Sequence, residues 1–171
     1  VDTPEFKAWF GDSRVVDENG DPLRVYTGTS KDADFKSFKI PKSGAWFTAD
    51  PEAASSYAMD NDSQSLKTDD GRTYTKVNTA SRVLPAFLRI ENPYTPTESE
   101  MNAMRIASNY RRAQGVVFDN ARMKGFDGVD MGGGVFVVIG SPTQIKSAIG
   151  NRGAFDPANP DIRASEQRSE Y

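Results

Sequence analysis

Val25-Tyr26-Thr27-Gly28-Thr29 and, seventeen residues after Thr29, Trp46-Phe47-Thr48-Ala49-Asp50-Pro51-Glu52-Ala53-Ala54-Ser55-Ser56-Tyr57 are the segments from which the fold is read. Leu23 to Thr27 alternates as a half-buried strand does, and Ala45 to Thr48 is a second short strand. Asp50 then supplies an N-cap, Pro51 a first-turn proline and Glu52 an early acid, which opens a helix through about Met59. Trp46 and Tyr57 therefore stand eleven positions apart, one on a strand and one on the helix that follows. That arrangement suits a flat ring held between two aromatic faces, and it also suits two aromatics of an ordinary core. Both readings stand at this point. Gly28 has no Cβ, so the main chain beside it is open to close approach by a bound group.

Outward from these segments the elements are short and irregular in order. Thr3-Pro4-Glu5 before Phe6, Trp9 and Phe10 predicts a capped helix with one apolar face, ended by Gly11. Glu18-Asn19-Gly20-Asp21-Pro22 is turn chemistry. Residues 30–44 are polar, with Phe35 and Phe38 as anchors, and residues 60–81 read as a polar loop or a hydrophilic hairpin. Val83 to Ile90 is a buried-looking strand closed by Asn92-Pro93. Thr97-Glu98-Ser99-Glu100 is a capping box that opens a helix, and a second helical stretch ends at Lys124-Gly125. Phe126 to Met131 and Val135 to Ile139 are two strands joined by Gly132-Gly133-Gly134, a hairpin signal that lacks the spacing of a phosphate loop. Gln144 to Ile149 is short and alternating, and the residues after Asp161 are polar. Helices and strands that do not alternate regularly predict an α+β fold rather than a doubly wound sheet.

Composition narrows the chemistry. The 171 residues suit one domain, with 37% hydrophobic and 26% charged residues, and no apolar run approaches the roughly 20 residues of a membrane helix. The expected arrangement is a single domain over residues 1–163 with a polar tail over 164–171, off the membrane. A net charge of −3 excludes a strongly basic nucleic-acid surface as a bulk property. Arg105, Arg111 and Arg112 read as the solvated face of a helix. The chain has no cysteine and no histidine. That removes thiolate chemistry, the commonest general base and the usual zinc ligands, and no metal site is expected. Catalysis would rest on carboxylates, hydroxyls, amides and main-chain dipoles.

The chain resembles the ADP-ribosyltransferases. Val25-Tyr26-Thr27-Gly28-Thr29 is similar to their strand ending in Tyr-His-Gly-Thr, the diphtheria-toxin-like Tyr-X-Gly-Thr motif. Trp46 to Tyr57 is similar to their strand-to-helix segment, whose two aromatics, eleven positions apart, stack on both faces of nicotinamide. Three further segments resemble, in the same order, the ADP-ribosyltransferase-like domains of phage and mobile-element polyvalent proteins. They are Phe6-Lys7-Ala8-Trp9-Phe10-Gly11-Asp12-Ser13 with Asp17-Glu18-Asn19-Gly20-Asp21-Pro22-Leu23-Arg24-Val25-Tyr26; Gly125-Phe126-Asp127-Gly128-Val129; and Gln144-Ile145-Lys146-Ser147-Ala148 with Gly150-Asn151-Arg152-Gly153, Phe155-Asp156-Pro157 and Asn159-Pro160-Asp161-Ile162.

The resemblance implies a split mixed or antiparallel β-sheet with flanking helices. It implies NAD as co-substrate, bound by Tyr26, Thr27, Gly28, Thr29, Trp46, Thr48 and Tyr57. It also implies transfer of ADP-ribose, with release of nicotinamide, to a macromolecular acceptor, a protein before a nucleic acid. The setting it implies is a monomer or one domain of a larger polyprotein, a toxin or effector in the cytoplasm of a bacterial host or delivered into a target cell. Two departures touch the chemistry. Thr27 stands where the family has histidine, and Val135 stands where its catalytic glutamate precedes the strand matched by Phe136-Val137-Val138-Ile139. Leaving nicotinamide builds positive charge on the ribose, which a nearby carboxylate stabilises. Asp130, across the glycine hairpin from Val135, is the first substitute, joined by Tyr57 and Thr27 as catalytic residues. Asp127 is the second substitute, sent to the opposite face by strand alternation. Gln144 reads as structural, and Arg24 lies on the face opposite Thr27. Loss of histidine and glutamate leaves two alternatives open: a binding module of the same fold, and an NAD glycohydrolase.

Overall fold

Residues 2–29, 38–62, 64–76, 82–149, 158 and 161 are described by the computed structural model, with the main chain alone at 29, 57–62, 64–67, 73–76 and 82. Thr3 caps helix α1 (Pro4–Phe10), its hydroxyl accepting the Phe6 N–H at 3.2 Å. The helix buries Phe6, Trp9 and Phe10, and the Phe6 ring meets Phe87 edge-on at 5.2 Å. The Trp9 indole N–H donates to the Thr143 carbonyl at 3.0 Å, which satisfies the polar end of a buried ring.

Strands β1 (Val25–Thr29) and β2 (Ala45–Thr48) and helix α2 (Pro51–Asp62) follow where the sequence predicts them, the helix running past Met59. Between residues 60 and 81 the chain builds a hairpin of β3 (Gln64–Lys67) and β4 (Thr73–Lys76). Next come β5 (Arg82–Leu88), β6 (Pro93–Tyr94), α3 (Glu98–Ile106), α4 (Tyr110–Met123), β7 (Gly128–Gly132), β8 (Val135–Val138) and β9 (Ile145–Ser147). Seven strands form one sheet in the order β6-β7-β8-β2-β1-β5-β9. Strand β6 pairs with β7 in parallel and the remaining pairs are antiparallel, so the sheet is mixed and the fold is α+β as expected. The strand before Asn92-Pro93 ends at Leu88, as its closing signal predicts, and Pro93 in addition begins an edge strand, where a missing N–H costs little. Among the described residues no helix is long and apolar enough to cross a membrane.

Two apolar layers cover the sheet. Val25, Ala45, Phe47, Ala86, Leu88, Phe136 and Val138 belong to one, together with Val15, Ile90 and Ile145. Val129, Val137 and Ile139 form the other, beneath Phe118 and Ala121 of α4. One seam in the sheet is weak. Strand β1 pairs with β5 over five positions and β2 with β8 over four, but among the described residues β1 and β2 share only Tyr26 opposite Thr48. The sheet therefore parts between β1 and β2.

The cap of α3 ties that helix to the sheet edge. The Glu100 carboxylate accepts from the Thr97 N–H at 2.8 Å and from the Tyr94 hydroxyl at 2.7 Å. The Tyr94 bond holds the Glu100 carboxyl below its ordinary value, and the same bond raises the Tyr94 phenol. A carboxylate depressed on folding adds stability above its unfolded value and loses it as pH falls through the folded one. Glu100→Gln is expected to cost about 0.5 kcal/mol at neutral pH, the low end for a cap because water screens the carboxylate. Thermal unfolding at pH 7 and below pH 4 checks this, since the difference between wild type and variant must shrink in acid.

Candidate functional site

A cleft of about 700 Å3 opens where β1 and β2 part. Tyr26, Thr27 and Gly28 of β1 line one side and Trp46, Phe47 and Thr48 of β2 the other. Val135 at the start of β8 stands opposite Thr48 in the strand pairing and also reaches the cleft. Neighbours on opposite faces of a strand line it together because the strands separate beyond Tyr26 and Thr48.

Strand geometry sets what Gly28 offers. The Pro85 carbonyl accepts the Ala148 N–H at 2.9 Å, so the main chain at Pro85 turns toward the β9 edge. Tyr26 lies opposite Pro85 and Gly28 two positions on, opposite Val83. Alternation along an antiparallel ladder then turns the main-chain N–H and C=O of Tyr26 and Gly28 toward β2. Tyr26 meets Thr48 there, and Gly28 faces the cleft.

Trp46 is held from two directions. Its indole N–H donates to the Ser43 carbonyl at 2.6 Å, and its ring tilts against Phe118 of α4 with centroids 5.9 Å apart. The loop that carries Ser43 is itself fastened to α4. Arg122 donates to the carbonyls of Lys42 at 3.0 Å, Pro41 at 3.1 Å and Ile139 at 2.8 Å, and pairs with Asp119 at 2.7 Å. One guanidinium thus joins α4, the loop and the end of β8, a use of its fixed fork of donors. Thr48 is 7% exposed, and its hydroxyl oxygen accepts the Asp50 N–H at 3.1 Å, which sets the turn into α2. The Asp50 carboxylate in turn accepts the Glu52 N–H at 2.9 Å. Helix α2 lies against β1 and brings Ala54 to the cleft. The side chains of Tyr57 and Thr29 lie outside the described residues.

The carboxylates singled out from the sequence are engaged elsewhere. Asp130 accepts the Gly132 N–H at 2.9 Å within the hairpin and lies opposite Phe136, and it is not among the described residues lining the cleft. Asp127 accepts the N–H groups of Glu91 at 3.0 Å and Asn92 at 2.9 Å, which fixes the turn after β5. Gln144 braces the strand ends, donating to the Arg89 and Asp127 carbonyls at 2.8 and 3.0 Å and accepting the Ser141 N–H at 2.7 Å. Arg24 is exposed just before β1. Among the described residues lining the cleft the one formal charge is that of Arg111.

Helix α4 contributes what the sequence reading missed. Tyr110, Arg111 and Gln114, from its first turns, line the cleft. Arg111 is exposed on α4, as the solvated helix face predicts, and from there it also lines the cleft. One signal for Gln114 was present: it lies four positions before Phe118 and seven before Ala121, so it occupies a buried position on an apolar stripe.

Compared with known protein families, residues 17–155 match the family described as ADP-ribosyltransferase in polyvalent proteins. No curated protein and no solved structure matches the chain.

Proposed function

The chain belongs to the family of ADP-ribosyltransferases in polyvalent proteins, and from that premise we propose that it binds NAD in the β1–β2 cleft and moves ADP-ribose to a macromolecular acceptor, releasing nicotinamide. The observation that carries this reading is the convergence, in one cleft, of the Gly28 main chain, the anchored face of Trp46 and the cation of Arg111. In this reading the nicotinamide ring lies on Trp46 and its carboxamide meets the Gly28 main chain. Tyr57 from α2 covers the second face of the ring. The positively charged pyridinium gains from the flanking π faces before it leaves.

Transfer breaks the bond between the nicotinamide nitrogen and the ribose. Both electrons go to the nitrogen, which becomes neutral, and the acceptor nucleophile bonds to the sugar carbon and gives up its proton. Thr27 offers a hydroxyl to the sugar. Asp130, from beside the described lining, supplies the negative charge that the oxocarbenium needs, through the carboxylate oxygen that does not hold the Gly132 N–H. The acceptor is assigned as a protein, met through the hydrophilic β3–β4 hairpin, since surface loops carry specificity on such scaffolds.

Asp130→Ala is expected to lower nicotinamide release by about 100-fold or more while leaving NAD affinity unchanged. Tyr57→Ala is expected to lower both. Normal release from Asp130→Ala removes Asp130 from the mechanism. A second reading, a module that binds NAD without transfer, is favoured by Val135 at the family's glutamate position and by the lack of a carboxylate among the described residues lining the cleft. Nicotinamide release measured with and without cell lysate separates the readings. Release only with lysate supports transfer, release without acceptor indicates hydrolysis, and NAD binding without release indicates the module.

A further inference from the structure

Gln114 is 4% exposed, lines the cleft, and makes no hydrogen bond to any described residue. A buried amide with neither its carbonyl nor its NH2 satisfied costs stability, so its retention at a cleft wall calls for a ligand that completes it. Its neighbours along the helix indicate which ligand group. Arg111, Gln114 and Phe118 are spaced three and four residues apart, on one face of α4. They rise along the axis by roughly 4.5 and then 6 Å. Trp46 rests on Phe118 at the far end, while Arg111 stands in the first turn, where unpaired N–H groups also favour an anion. The cleft wall therefore reads, in order, cation, buried neutral amide, aromatic face.

We propose that α4 reads the nicotinamide mononucleotide half of NAD in that order, phosphate, ribose, ring, with Gln114 as the specificity residue for the ribose hydroxyls. This rests on the NAD reading above. A vicinal diol presents donors and acceptors side by side, and the Gln114 amide matches it with Oε1 accepting from one hydroxyl and Nε2 donating to the other. The amide carries no charge, so it orients the sugar and does not stabilise the oxocarbenium.

The test is binding of nicotinamide mononucleotide, nicotinamide alone and AMP to wild type, Gln114→Leu and Gln114→Met, with thermal unfolding of each. Removing an unsatisfied buried amide is expected to hold or raise the melting temperature. Affinity for nicotinamide mononucleotide is expected to fall roughly tenfold, with nicotinamide and AMP unchanged. Unchanged affinity for nicotinamide mononucleotide in folded variants overturns the assignment. An equal loss for nicotinamide alone or for AMP overturns it as well, by placing the amide on the carboxamide or on the adenosine half. Failure of both variants to fold makes Gln114 structural and also overturns it. Wild type that binds neither NAD nor nicotinamide mononucleotide sinks the NAD reading itself, a result distinct from the others.

Discussion

Trp46→Ala is expected to weaken NAD binding by about 10- to 100-fold, the span that loss of one aromatic stacking partner produces. Two losses combine. The ring that supplies the flat face disappears, and so does the packing of that ring on Phe118, which keeps α4 against the cleft. Trp46 is half-buried, so the stability loss is expected near 2 kcal/mol rather than the 3–5 kcal/mol of a fully buried tryptophan. Trp46→Phe separates the effects, since it keeps an aromatic face while losing the N–H to Ser43 and part of the ring area. Its NAD affinity is expected within a few-fold of wild type. Calorimetric titration reads both variants, and an alanine variant that binds NAD like wild type would remove Trp46 from the site.

Gly44→Ala is expected to destabilise the fold by about 3 kcal/mol, a large part of the total stability of a domain this size. Gly44 sits at φ +70° at the end of the loop whose Ser43 carbonyl holds the Trp46 indole. An added Cβ would overlap Val137 Cγ1 and come within 3.1 Å of the Val138 carbonyl oxygen. Left-handed strain adds about 1–2 kcal/mol, and crowding against the strand adds a similar amount. Gly20→Ala is the matched control. Gly20 has φ +85° but nothing within 4 Å of the new Cβ, so strain alone applies and about 1 kcal/mol is expected. Urea unfolding of the pair checks the account, which fails if the two variants lose equally. Because Gly44 positions Trp46, folded Gly44→Ala is also expected to bind NAD more weakly, whereas Gly20→Ala is expected to bind normally.

The local features were legible because their causes are local. Thr3 and Thr97 cap their helices with their own hydroxyls, three residues from the N–H groups they accept. Gly132, Gly133 and Gly134 all take positive φ in the hairpin between β7 and β8. Alternation placed β1, the glycine hairpin placed β8, and motif order identified the family. Strand β6 escaped notice because two residues carry no periodicity, and its pairing is set by β7, far along the chain. The turn role of Asp127 was not legible because the N–H groups it accepts, those of Glu91 and Asn92, lie far back along the chain, whereas Asp130 bonds the Gly132 N–H within its own hairpin.

The sequence by itself determined that Gly28 and Trp46 belong to one motif and that the chain is an α+β member of this family, since spacing, caps and alternation are properties of neighbours along the chain. Only the tertiary structure decided that the sheet parts beyond Tyr26 and Thr48, that Arg122 fastens the loop under Trp46, and that Gln114 is buried facing the cleft. Each of these depends on contact between segments distant in sequence, where the outcome is set by which packed surface excludes water and which main-chain groups lose their partners.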